Sequence, residues 1–122
     1  GDAMGIYIVL ATLTEQGLSK LKEFGERARA FRGLAAEYGV TVKEIYWTRG
    51  GYDGGFDLVT VLDAPDERAV TALRLAVDER GNVHTVMLRA FPAEVMEEII
   101  AKVAKSSRIR EGQAEPQPLQ PA

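Results

Sequence analysis

Apolar residues along this chain recur at two spacings, about two and about 3.6 residues, and the switches between them mark out its elements. Gly5 to Leu13 is apolar at nearly every position, the pattern of a strand buried on both faces. Thr14 is a good N-cap, and Thr14-Glu15-Gln16-Gly17 opens a helical region to about Tyr38. There Leu18, Leu21, Phe24, Ala28, Phe31, Leu34 and Ala35 share one face. Gly17, Gly25 and Gly33 each cost about 1 kcal/mol against alanine, which predicts a short first piece and a bend near Gly25. Gly39 supplies the stop.

Val40 to Arg49 reads as a second strand and Phe56 to Asp63 as a third, joined by a glycine-rich reversal in which Asp53-Gly54 suits a hairpin turn. Pro65-Asp66-Glu67 starts a second helix with Ala69, Val70, Leu73, Ala76 and Val77 inward, and Gly81-Asn82 ends it. Val83 to Phe91 is a fourth strand. Pro92 begins a last helix, in which Val95, Met96, Ile99, Ile100 and Val103 recur at helical spacing. This order is the split βαβ, ferredoxin-like βαββαβ arrangement with an added C-terminal helix. It is an α+β fold with a four-stranded antiparallel sheet and helices on one face.

Side-chain parity sharpens that reading. The first strand alternates Ile6, Ile8 and Leu10 against Tyr7, Val9, Ala11 and Leu13; the third alternates Phe56, Leu58 and Leu62 against Val59 and Val61. Neither sheet face is predominantly polar, and an uncovered apolar face exceeds what a monomer leaves in water. The expected cover is the same face of a second copy, giving a homodimer or higher oligomer with two sheets packed about 10 Å apart, a dimeric α/β barrel.

Composition removes several functions. Without cysteine there is no disulfide framework, thiolate nucleophile or thiolate metal site. A net charge of -3 gives no field for phosphate backbones, so nucleic acid is not an expected partner. No window approaches the roughly 18 apolar residues of a membrane span, and Ile6 to Ala11 lacks the basic leader of a signal peptide. A cytoplasmic protein without membrane contact is expected. Residues 1–4 read as an expression leader and the native start at Met4, residues 5–105 as one domain, and residues 106–122 as a flexible Pro/Gln-rich tail.

The sequence resembles the GYD domain family, small bacterial and archaeal proteins with a dimeric α/β-barrel fold and no established activity. The resemblance runs from Ile6 to about Val103. It is carried by the opening strand with Thr14-Glu15-Gln16-Gly17, the Arg27 to Phe31 segment, Tyr46-Trp47-Thr48, a Gly-aromatic-Asp triplet, Ala64-Pro65-Asp66, Gly81-Asn82-Val83 and Leu88-Arg89-Ala90-Phe91. Two departures stand out. The family triplet sits directly before the third strand, where this chain has Gly55-Phe56-Asp57, while the literal Gly51-Tyr52-Asp53 lies earlier, as in a longer hairpin. The family pattern also has an acid where this chain has Val86 and usually an arginine at His84, so any site using that acid is altered here.

No catalytic set declares itself. His84 is the only histidine, so imidazole metal ligands cannot cluster within one subunit, and no metal site or cofactor is expected. His84 is a candidate general base by residue type, although a lone strand histidine is more often exposed or hydrogen-bonded. Asp57 lies among apolar neighbours, so its carboxylate either faces a cavity rim or accepts backbone amides at the hairpin end. Tyr7, Tyr46 and Trp47 are candidate pocket walls, against the commoner role of core or interface aromatics. Arg49 and Arg89 are candidate anchors for an anion, against pairing with Asp53, Asp57 or Glu44. The glycine-rich loop lacks the Gly-Lys-Ser/Thr ending of a phosphate cradle, and Asp53 to Asp57 lacks the ligand spacing of a calcium loop.

The expected function is therefore that of a homo-oligomeric module whose inter-sheet cavity binds a small, partly apolar molecule. One alternative is a cofactor-independent or haem-using oxygenase or isomerase of the dimeric barrel type. It requires His84, Asp57 and Trp47 to converge on one cavity. A structural assembly protein is the other.

Overall fold

The structure, a computed structural model, describes residues 4–48, 50 and 54–113. Its order is β1 (Gly5–Leu13), α1 (Glu15–Leu18), a 3-10 turn (Leu21–Glu23), α2 (Phe24–Glu37), β2 (Thr41–Trp47), β3 (Leu58–Ala64), α3 (Glu67–Glu79), β4 (Val83–Ala90) and α4 (Ala93–Gln113). The strands form one sheet in the order β2-β3-β1-β4, antiparallel throughout, as the ferredoxin-like reading requires. The chain divides into two compact units, Gly1–Ala90 and Phe91–Ala122.

Within the first unit the sheet's two faces separate by parity. Tyr7 and Val9 of β1, Val42 of β2 and Leu62 and Ala64 of β3 are buried against Ala35 of α2 and Val70 and Leu73 of α3. Leu62, Val70 and Leu73 are essentially sealed from solvent. The opposite face aligns Ile6, Ile8 and Leu10 of β1 with Asp63, Val61 and Val59 of β3, and with Ala90, Leu88 and Val86 of β4. Its central residues are half-buried, whereas Val86 and Leu88 are 44% and 47% exposed and Tyr46 is 53% exposed. The first strand is therefore apolar front and back, with the helices of its unit on the Tyr7 side.

Local chemistry sets the element ends. Thr14 caps α1 through its hydroxyl, which accepts from Gly17 N–H at 3.1 Å and donates to the Gly81 carbonyl at 2.6 Å. Gln16 Nε2 donates to the Arg80 carbonyl and to Asn82 Oδ1, both at 2.8 Å. The start of the first helical region is thus stapled to the α3–β4 turn, where Gly81 takes a positive φ of 81°. A Cβ on Gly17 would collide with the Asn82 carbonyl.

Some boundaries differ from the sequence reading. The helical region breaks at Ser19 and Lys20 and passes through the 3-10 turn, before Gly25 and not at it, because α1 is held to the α3–β4 turn. Strand β2 begins at Thr41, since the Val40 N–H is taken by the Ala35 carbonyl at 2.9 Å to close α2. Strand β3 starts at Leu58: the Phe56 carbonyl accepts from the Thr48 hydroxyl, and Asp57 N–H donates to the Ala11 carbonyl. The register of β2 against β3 shifts between Val42 and Glu44, and Lys43 Nζ there lies 3.8 Å from Asp63 Oδ2.

In the second unit, Pro92 precedes α4 and its carbonyl accepts from Met96 N–H. Helix α4 continues to Gln113. The run from Lys105 to Glu111 holds helix-tolerant residues and no proline or glycine, so nothing stops the helix at the serines. Val95, Met96, Ile100 and Val103 are exposed on it. The proline-rich stretch, beyond its first residue Gln113, lies outside the described residues. No helix among the described residues is long and apolar enough to cross a membrane.

Gly17→Ala should lower stability by about 1–3 kcal/mol through the forced shift at Asn82. Gly33→Ala, where a Cβ meets nothing within 4 Å inside α2, should raise it by about 0.5–1 kcal/mol. Denaturant melts of the two variants check both signs.

Candidate functional site

Where α1, the 3-10 turn and the first turns of α2 cross the sheet, small side chains leave space. Ala11 on β1 and Ala28 and Ala30 on α2 contribute to a cavity of about 370 Å³. Its floor is Val9 and Ala11 of β1, Ile45 and Trp47 of β2, Leu58 and Thr60 of β3 and Val83 and Thr85 of β4. Phe24, Arg27, Phe31 and Leu34 of α2 form a wall, with Val77 of α3 behind. Trp47 stands at the rim, 46% exposed, with its ring centroid 4.5 Å from that of Phe24.

The polar groups on this surface are mostly committed. Thr60 Oγ1 donates to the Val9 carbonyl at 3.2 Å. Thr85 Oγ1 donates to the Asp78 carboxylate and accepts from Arg74 Nε, while Arg74 also donates to the Thr85 carbonyl at 2.8 Å. Arg27 is the exception. Its Nε is buried without a hydrogen-bond partner among the described residues, and its terminal nitrogen reaches Glu23 only at 3.9 Å.

The residues singled out from the sequence do not all gather here. Trp47 lines the cavity. Tyr7 is on the same face but in the core, with the Arg89 guanidinium 5.1 Å from its ring centroid. Arg89 also donates to the carbonyls of Ile6, at 2.9 Å, and Ala90, so it ties the ends of β1 and β4. Tyr46 lies on the opposite face beside Glu44. The carboxylate charge of Glu44 raises the Tyr46 pKa, helped by desolvation and by a hydrogen bond to the same carboxylate. His84 is exposed opposite Thr12, on the face away from the cavity. Asp57 Oδ2 accepts from Leu13 N–H at 2.8 Å and so pins the end of β1 to the start of β3. Arg49 and the Gly51-Tyr52-Asp53 triplet lie outside the described residues.

His84 and Trp47 are therefore on opposite faces, and the trio His84, Asp57 and Trp47 does not share one cavity. Among the described residues no three metal-ligating side chains come together. The cavity combines apolar walls with the Arg27 guanidinium, whose Nε has no hydrogen-bond acceptor among the described residues. Arg27 was passed over in the sequence, although its spacing from Phe24 and Phe31 sets it on the inward stripe of α2.

Asp57→Ala should cost about 1–3 kcal/mol by leaving the Leu13 N–H unpaired, and Asp57→Asn, which keeps an acceptor oxygen, should cost less; thermal melts distinguish them. Glu44→Gln should lower the Tyr46 pKa toward its ordinary value, because removing the carboxylate eases formation of the phenolate. Phenolate absorbance across an alkaline titration, with Tyr46→Phe as the blank, reads this shift.

Comparison with known proteins agrees with the topology. The GYD domain model matches residues 7–100. A Thermus thermophilus protein named glutamine synthetase and cystathionine beta-lyase binding protein is 36% identical over 90 residues, which span 73% of this chain and 90% of that relative. No solved structure matches. With the split βαβ sheet and a match running from β1 into α4, this chain belongs to the GYD domain family.

Proposed function

We propose that this chain is a non-catalytic, homo-oligomeric binding module that docks on metabolic enzymes, glutamine synthetase and cystathionine beta-lyase being the first to test. The observation that carries the reading is the likeness to the Thermus thermophilus binding protein over nearly that relative's whole length. The site geometry supports it from another side: the oxygenase or isomerase alternative needs His84 and Trp47 in one cavity, and they occupy opposite sheet faces.

Self-association through the helix-free face is part of the proposal. Ile8, Leu10, Val59 and Val61 form its centre, and Tyr46, Val86 and Leu88 extend it to both edge strands. A continuous apolar surface of this kind favours burial against an apolar partner. A second copy related by a two-fold axis supplies one of the same shape, with sheets about 10 Å apart.

Light scattering at micromolar concentration should give twice the chain mass or more, and Leu88→Lys should shift it to monomer. Leu88 is half-exposed in the single chain, so its substitution leaves the fold intact. A monomeric unsubstituted protein, or a variant that stays associated, would remove the interface. For the partner, sedimentation of the chain mixed with purified glutamine synthetase or cystathionine beta-lyase from the same source should show a faster complex with one of them. Independent sedimentation from both at tens of micromolar, well above typical affinities for specific partners, would refute the docking function.

A further inference from the structure

From the cavity between the sheet and α2 we infer a second binding activity, separate from enzyme docking: a site for a small monocarboxylate with a flexible apolar tail, of the medium-chain fatty acid class. Three observations converge on that chemistry. The cavity, about 370 Å³, falls at the lower end of the range of roughly 300–1,000 Å³ usual for small-molecule sites. Its floor and far wall are branched aliphatic side chains, Val9, Ile45, Leu58 and Val77, which reward burial of a hydrocarbon and offer it no polar group to displace. The hydroxyls that do reach the surface, on Thr60 and Thr85, already have protein partners.

The third observation fixes the head group. Of the charged residues around the cavity, Lys20 and Arg27 are half-buried and both are cations, whereas Glu23, Glu26 and Arg80 are exposed. Among the described residues Arg27 Nε is buried without an acceptor. A buried donor in that state lacks a hydrogen bond that water would otherwise supply. A carboxylate offers two acceptor oxygens in the plane of a guanidinium and can meet its two terminal nitrogens together, a geometry that a neutral alcohol or a single carbonyl cannot reproduce. The 3.9 Å approach of Glu23 is too long for a hydrogen bond, so the ligand would not have to break a close pair. With the acid held at Arg27, the tail lies over the floor strands toward Val77.

Trp47 is the chain's only tryptophan and lines the cavity, so its emission reports occupancy. Titration with decanoate, below its micelle concentration, should change Trp47 emission saturably. Decanol, with the same tail and no charge, should bind at least tenfold more weakly. Arg27→Met, which keeps an unbranched apolar stem, should weaken decanoate at least tenfold, leave decanol unchanged and retain the melting temperature of the ligand-free protein. The absence of a saturable change, equal binding of decanoate and decanol, or undiminished decanoate binding by Arg27→Met would each overturn the assignment. The alcohol comparison uses the unsubstituted protein and needs no variant to fold.

Discussion

The constraint behind the architecture is the run of side chains along β1. A strand turns successive residues to opposite faces, so a segment apolar at nearly every position must be sheltered on both. Tyr7 and Val9 find that shelter under α2 and α3, together with Leu62, Val70 and Leu73. Ile6, Ile8 and Leu10 point the other way, aligned with Val59, Val61, Val86 and Leu88. The antiparallel neighbours fix this register, because a slip of one residue would exchange the two faces and put Thr60 where Val61 stands. The proposal of self-association starts from that division, and so does the placing of the cavity on the helix side.

Most of the fold was legible in the sequence because its signals were redundant. The capping threonine, the Ala64-Pro65-Asp66 handover and the stops at Gly39 and Gly81 agreed with the hydrophobic spacing around them. Element ends were less legible, since they depend on bonds between distant residues. Nothing near Val40 announces that its amide belongs to Ala35, and nothing near Ser19 announces that Gln16 is tied to Arg80 and Asn82. The site was read least well. Tyr7, Tyr46, His84 and Arg89 attract notice by residue type, yet parity and register scatter them over both faces and a sheet edge. Arg27 hides among seven helical neighbours of mixed polarity, and only its place on the Phe24–Phe31 stripe gives it away.

The staple at the α3–β4 turn links fold to site. Thr14, Gln16 and Gly17 hold α1 against Gly81 and Asn82, so the chain cannot run straight into α2 and instead crosses the sheet through the 3-10 turn. Leu21 and Phe24 of that detour line the cavity together with Ala11 and Leu58 of the sheet. Local capping chemistry at one end of β1 thereby shapes the cavity beside it on the helix side of the sheet.

The shifted register at Lys43 bears on how copies of this chain can add to one another. An outer strand with regular, unpaired backbone groups invites another strand to zip alongside, and repetition of that step makes fibres. In β2 the ladder is interrupted between Val42 and Glu44, and an ammonium group sits at the break, held toward Asp63. Both features discourage lengthening of the sheet at this border. A strand approaching this border finds no regular ladder to continue, so open-ended strand-to-strand growth is disfavoured there.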